Sequence, residues 1–182
     1  MSERQYFQDY MASKNCFGCG IENHQGFNIR SYWDESLSVC EWQAKIHHEG
    51  WSGLTCGGVI STLVDCHAIA TAMATAFRNE DRDLGSDPQY TFATGSLNVV
   101  FLKPTPIDSL LRIEASVVQI KYEKKYTVKC DVYSVAKSNN GDDNLNDAGY
   151  VTNSKEKVAE AQVVALLVYR SDRPDEAPDA FR

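Results

Sequence analysis

Residues 57–78 read GGVISTLVDCHAIATAMATAFR, and this stretch decides the architecture. Val59, Ile60, Leu63, Val64, Ile69, Met73 and Phe77 are set among Ala68, Ala70, Ala72, Ala74 and Ala76, so apolar side chains occupy nearly the whole circumference of a helix. Such a helix of about twenty residues rises roughly 30 Å and has to be enclosed on nearly all sides. Two ionisable residues, Asp65 and His67, interrupt the run, which argues for a core helix rather than a membrane span. The helix is expected to stop at Arg78, where NEDRDLGSDP supplies charges and breakers.

Beyond that loop the period changes from helical to two. Leu97, Val99 and Phe101 alternate with Ser96, Asn98 and Val100 up to Lys103-Pro104. Leu111, Ile113, Ala115 and Val117 alternate with Arg112, Glu114 and Ser116, and Tyr126, Val128, Cys130 and Val132 with Thr127, Lys129 and Asp131. A last strand, Val158 to Tyr169, turns apolar throughout its second half. Upstream of the helix, Asn28–Trp33 and Ser38–Ile46 read as two strands around a turn at Asp34–Ser36, and HHEGWSGLTCGG as a glycine-rich connector. Successive alternating strands predict an antiparallel sheet with one buried face. The fold class is therefore α+β, with five or six antiparallel strands curled around one long central helix. A single sheet cannot surround a helix, so a second copy of the chain is expected to complete the burial.

The remaining segments are peripheral to that domain, which is taken as residues 28–170. Residues 1–27 hold a short amphipathic helix over 2–12, with Ser2 as N-cap, and a Cys/Gly-rich loop. A polar, turn-rich excursion is expected at about 137–157, and a loose acidic tail at 171–182.

Composition sets the outer limits. The chain has 182 residues, which suits one domain, with 43% hydrophobic and 24% charged residues. Eighteen Lys and Arg stand against 25 Asp and Glu, a net charge of -7. That balance argues against nucleic acid as a partner, since binding it needs a basic surface. Six cysteines without a secretory leader are expected to be reduced, in the cytoplasm.

Four pieces in order resemble the hotdog-fold thioesterases of the 4-hydroxybenzoyl-CoA thioesterase superfamily, in its PaaI-like branch. They are CFGCG at 16–20 followed by Asn23 and Gly26, HEGWSGLTCGGVISTLVD at 48–65, SLNVVFLKPTP at 96–106, and the closing strands that end in VAEAQVVALLV. The resemblance implies hydrolysis of an acyl-CoA thioester to free acid and coenzyme A, by a homodimer or homotetramer, without a cofactor or a metal. It implies that Asp65 is the general base or the nucleophile, that the Gly57 and Gly58 amides hold the oxyanion, and that Thr94 orients the water. His48 matches a position that borders the substrate. One departure is plain: Cys56 stands where the family has a histidine before the two glycines, and Gly50 where some relatives have an asparagine.

The residues carry part of this chemistry unaided. A carboxylate inside an apolar helix is costly unless satisfied or used, which singles out Asp65. Free N–H groups and the positive dipole end at Gly57 and Gly58 suit a developing oxyanion. Gly57 and Asp65 are eight residues apart, about 12 Å along a helix, so one carbonyl cannot reach both within one chain. Two antiparallel helices from two subunits bring them together. Thr94, Ser96 and Asn98 share one strand face by the period of two, as a site row or a solvated one. Cys56, just before a helix N-terminus, offers a nucleophilic thiol if His48 is near, or an inert one. Cys16 and Cys19 form half a zinc site, with His24 as a third ligand and no fourth, so a packed loop without metal is expected. Lys103, Arg112, Lys121, Lys124 and Lys125 are candidate partners for the phosphates of coenzyme A. Two alternatives stay open: a hydratase or dehydratase pairing His48 with Asp65, and a non-catalytic acyl-CoA binding protein.

Overall fold

The structure is a computed structural model, and it describes residues 4–137 and 150–176. Strands β1 (Ser31–Asp34) and β2 (Leu37–Gln43) form a hairpin. It turns at Glu35, whose φ of 54° lies in the left-handed region. Within the glycine-rich connector, β3 (Glu49–Trp51) and β4 (Leu54–Thr55) form a separate short hairpin around Gly53, at φ 77°. Helix α1 follows (Gly57–Asn79), then β5 (Tyr90–Phe101), β6 (Leu110–Lys121), β7 (Lys125–Lys137) and β8 (Tyr150–Arg170). The main sheet has six strands in the order β1-β2-β6-β7-β8-β5, every pair antiparallel.

Helix α1 packs against β5, β6, β7 and β8 and also touches β1 and β2. Its Ile60, Leu63, Val64, Ala68, Ala72 and Phe77 are buried in one cluster with Cys40 of β2, Ile113 of β6, Val128 and Val132 of β7, and Val163 of β8. By length and composition α1 passes for a membrane span, yet 78% of its most apolar stretch is buried inside the protein. The alternation read on β6 and β7 is the alternation observed: Leu111, Ile113 and Ala115, then Tyr126, Val128, Cys130 and Val132, are all buried.

Two sequence expectations need correction. The helix expected over 2–12 is reduced, among the described positions, to a single 3-10 turn over Phe7–Tyr10 without a side-chain cap, and Ser2 lies outside the described residues. The reason is that Phe7 and Gln8 are both buried, on different partners. Phe7 packs on Trp33, while Gln8 hydrogen-bonds the backbone and side chain of Ser31. The excursion expected over 137–157 is also too long. Its residues 138–149 lie outside the described ones, but 150–157 already belong to β8. Charge, not apolar alternation, secures that end of the strand: Lys155 pairs with Glu114, and Lys157 with Asp131 at 2.8 Å and Glu160 at 2.7 Å.

His67, the second interruption of the helix, sits wholly inside a polar chain of contacts. Its Nε2–H donates to the Ser38 carbonyl at 3.3 Å, while Nδ1 accepts from the Ser31 hydroxyl at 2.8 Å, and that hydroxyl accepts from Gln8 at 2.9 Å. Ser38 and Thr71 hydroxyls meet at 2.7 Å, and Thr71 donates to the His67 carbonyl. Burial pushes the imidazole pKa down to about 4, against the Ser38 carbonyl, which raises it, and so keeps the ring neutral at ordinary pH. An unfolded chain binds a proton there near pH 6.5, so between about 4 and 6.5 the unfolded state holds more protons. Stability contributed by neutral His67 is complete above that window and is lost as pH falls through it. Denaturant titrations are expected to show unfolding free energy rising by up to about 1.4 kcal/mol per pH unit across the window. His67→Gln should flatten that rise; an unchanged slope in the variant would assign it to other groups.

Candidate active site

Gly58, Ser61, Thr62 and Asp65 fall at i, i+3, i+4 and i+7 on α1, and together they form its less buried face. Ser61 and Thr62 turn their hydroxyls back to the Gly57 and Gly58 carbonyls, at 2.9 and 3.0 Å. Asp65 looks across to β5, where its Oδ1 accepts the Thr94 hydroxyl proton at 2.6 Å. Both residues line one cavity of about 470 Å³, whose walls include Met11, Ile69, Met73 and Phe92. A half-buried carboxylate therefore stands against a largely apolar chamber, held on one oxygen by a hydroxyl.

Thr94, Ser96 and Asn98 do not share a face. Thr94 pairs with Ala165 and Ser96 with Val164, leaving Gly95 as an extra residue in a bulge. Thr94 therefore lies on the helix side with buried Ala165, and so, beyond the bulge, do Leu97 and Val99 opposite Val163 and Ala161. Ser96 and Asn98 are turned to the outer side, beside Val164 and Gln162. A side chain at position 95 would start 2.9 Å from Leu166, which is why the bulged residue is glycine. An isolated glycine inside a strand was the available signal.

At the start of α1, Cys56 makes no side-chain cap, and the Gly57 and Gly58 N–H groups have no acceptor among the described residues. The two glycines differ. A Cβ on Gly57 would lie 3.2 Å from the Phe101 ring, whereas one on Gly58 would meet only Cys56 Sγ, at 3.7 Å. The space over Gly58 is left open by its own chain. Beside Gly57, β5 ends the sheet among the described residues, with its Leu97, Val100 and Phe101 exposed and Leu102 exposed just after it.

His48 is buried and packs on Phe27, Trp42 and His47, with centroids 4.2 to 5.0 Å apart. Its Nδ1 accepts the Lys45 N–H at 2.9 Å, and burial, then His47 and Lys45, lower its pKa. Its carbonyl holds the Cys56 N–H at 2.9 Å, but no hydrogen bond joins its ring to the Cys56 thiol. His48 lines a different cavity from Asp65, one that it shares with His24 and His47. Within one chain, the hydratase pairing of His48 with Asp65 is not assembled.

The pair Cys16 and Cys19 gains a partner that spacing alone did not reveal. Cys66, the residue after Asp65, brings its sulfur to 3.9 Å from that of Cys16, and the three Sγ atoms lie within 4.8 Å of one another. His24 takes no part. The Cys66 thiol directed at Cys19 holds the Cys19 pKa below the usual thiol range, and the same contact, followed by burial, raises that of Cys66.

Of the five basic candidates, Arg112 is spent on Asp34, Glu41 and Glu114 at 2.7 to 3.0 Å, and Lys103 on Glu156. Lys121 and Lys125 face each other at the β6–β7 turn, next to Lys124, and neither has an ion pair among the described residues.

A long helix wrapped by one antiparallel sheet, with an acid in mid-helix and bare amides at its start, is the hotdog fold. The profile of the thioesterase superfamily matches residues 52–134, so the resemblance read from the motifs is borne out. Among curated proteins the chain is 24% identical over 129 residues to the acyl-coenzyme A thioesterase THEM4 of Rattus norvegicus, covering 70% of this chain and 50% of that one. The chain thus spans about half the length of the curated relatives it matches. Among solved structures it is similar to the E. coli PaaI protein from the phenylacetic acid degradation operon, with TM-score 0.53, 12% identity, 79% of this chain and 81% of that one. It is also similar to an acyl-CoA hydrolase from Staphylococcus aureus solved with butyryl coenzyme A, with TM-score 0.53, 18% identity, 74% of this chain and 67% of that one.

Proposed function

We propose that this protein hydrolyses acyl-coenzyme A thioesters at a site completed by a second copy of the chain. The observation that carries the reading is the Asp65–Thr94 pair, bonded at 2.6 Å on the wall of the 470 Å³ cavity. The names of the THEM4 relatives and of the S. aureus hydrolase supply the substrate class.

With the acyl group in the chamber, the thioester carbonyl lies near Asp65. A water held by the Thr94 oxygen and the free Asp65 oxygen gives its proton to the carboxylate as its own oxygen attacks the carbonyl carbon. The C–S bond then breaks, and the proton passes to the departing coenzyme A thiolate. Direct attack by Asp65, followed by hydrolysis of the anhydride, gives the same products. The oxyanion rests on the Gly57 and Gly58 amides of the partner chain, because those of the same chain are about 12 Å away along the helix.

Support for the dimer comes from β5, which ends the sheet among the described residues: a twelve-residue edge strand with exposed Leu97, Val100 and Phe101 invites pairing with its own copy. That edge supports a dimer, or a dimer of dimers, and the six free cysteines support a cytoplasmic setting.

Turnover of short, medium, long and aromatic acyl-CoAs is the direct test, followed by separating free coenzyme A chromatographically, since the six free cysteines interfere with thiol reagents. Saturable turnover of at least one chain class is expected. Saturable binding of acyl-CoA without release of coenzyme A from any of them would overturn the hydrolase in favour of a binding protein.

A further inference from the structure

We propose that Cys16, Cys19 and Cys66 form a three-thiolate zinc site whose fourth coordination position opens into the cavity beside Asp65. This does not depend on the hydrolase reading. The three sulfurs come from a loop and a helix some fifty residues apart in sequence, yet converge within 4.8 Å, with Cys16 and Cys66 at 3.9 Å. Zinc bound to tetrahedral thiolates at about 2.3 Å needs neighbouring sulfurs about 3.8 Å apart. The C-x-x-C spacing supplies two ligands from one loop, as structural zinc sites commonly do.

The loop is shaped to that convergence. Gly18, between the two cysteines, approaches Cys66 so closely that a Cβ there would lie 2.4 Å from its sulfur. The Ile29 N–H holds the Gly18 carbonyl at 3.1 Å, and the Gly20 N–H holds that of Cys16 at 2.9 Å. Gly20 is equally confined, since a Cβ there would meet the Cys16 nitrogen at 2.3 Å. Cys19 and Cys66 are buried and Cys16 half-buried, and all three line the Asp65 cavity.

Three mutually close thiols suit an ion better than a covalent pair, since a disulfide joins two sulfurs at about 2.05 Å and strands the third. Thiolates select a soft ion over magnesium or calcium. Three protein ligands with a vacant fourth position take water or an exogenous ligand, here from the cavity side. On binding, each thiol releases its proton to solvent.

The test uses the full chain, purified without metal-affinity resin and kept reduced with a phosphine. Zinc is titrated in against a chromophoric chelator, and cobalt is used as a spectroscopic substitute. One zinc per chain is expected. Cobalt should give intense sulfur-to-metal charge-transfer bands and the visible bands of tetrahedral geometry. Cys19→Ser and Cys66→Ser should weaken zinc at least about 100-fold, because even disturbing a ligand's outer partners costs 10–100-fold. Cys130→Ser, buried in the sheet, should leave affinity unchanged. Should the serine variants fail to fold, alkylation of the native wild type decides: zinc should protect Cys16, Cys19 and Cys66 and leave Cys56 reactive. No stoichiometric zinc, a pale octahedral cobalt spectrum, or protection that does not follow these three cysteines would overturn the site. So would a Cys16–Cys66 disulfide formed under peroxide in a chain that never bound zinc.

Discussion

Asp65→Asn is expected to lower kcat for coenzyme A release by about a thousandfold, the middle to upper range for loss of a general base, while leaving the fold intact. The asparagine side chain has the same shape, and its carbonyl oxygen can still accept the Thr94 hydroxyl in place of Oδ1. Asp65 is half-buried and makes no ion pair among the described residues, so its removal leaves no charge stranded in the interior. What disappears is the capacity to take a proton from water or to attack the carbonyl. Affinity for acyl-CoA should therefore change little, and the loss should fall on kcat rather than KM. Circular dichroism and a melting curve matching wild type separate this from unfolding. A variant that keeps a tenth or more of wild-type turnover would remove Asp65 from the chemistry.

The second expected result concerns which chain supplies which half of the site. Gly58→Val should fold, because its own chain offers a Cβ there nothing nearer than Cys56 Sγ at 3.7 Å. Yet it places a branched side chain where a partner-bound carbonyl meets the helix amides, and should be nearly inactive alone. Co-expressing it with Asp65→Asn under two different affinity tags and isolating the mixed dimer gives one doubly damaged site and one with both parts native. That species should recover about half the activity of a wild-type dimer, from two inactive parents, since a twofold assembly has two equivalent sites. Activity no greater than that of the parents would mean that Asp65 works with its own helix, and the shared site would be wrong.

The sequence was read most accurately where local and global preferences agree. Helix α1 begins at the two glycines and ends at Asn79, one residue past Arg78, because a hard start and a breaker-rich loop bracket an apolar run. Strands β6 and β7 were legible because one face is dry. Legibility failed where structure rests on contacts between distant residues. The first eight residues of β8 carry no apolar alternation and are secured by charges on β6 and β7. The Cys16 pair showed its spacing but not its third neighbour, which arrives on α1 from fifty residues away. His67 shows in the sequence only as an interruption, since its partners Ser31, Ser38 and Thr71 lie on β1, β2 and the next helical turn. Within the site, Asp65 and Thr94 were both singled out, and the structure bonds them. Ser96 and Asn98 fall in with Thr94 on the sequence alone because counting by twos cannot see an added residue.

That added residue has a consequence for how this chain tolerates change. Gly95 divides β5 into two lengths of opposite phase, one bringing Thr94 to Asp65 and the other turning Leu97 and Val99 inward. Pairing this stretch as a regular ladder with Gly95 retained would force a choice between pointing Thr94 away from Asp65 and pointing Leu97 and Val99 away from the helix. The bulge absorbs the extra residue, so both keep their side. A bulky side chain at position 95, starting 2.9 Å from Leu166, would press that choice back on the strand, whereas Ser96 and Asn98, on the outward side, can change without it.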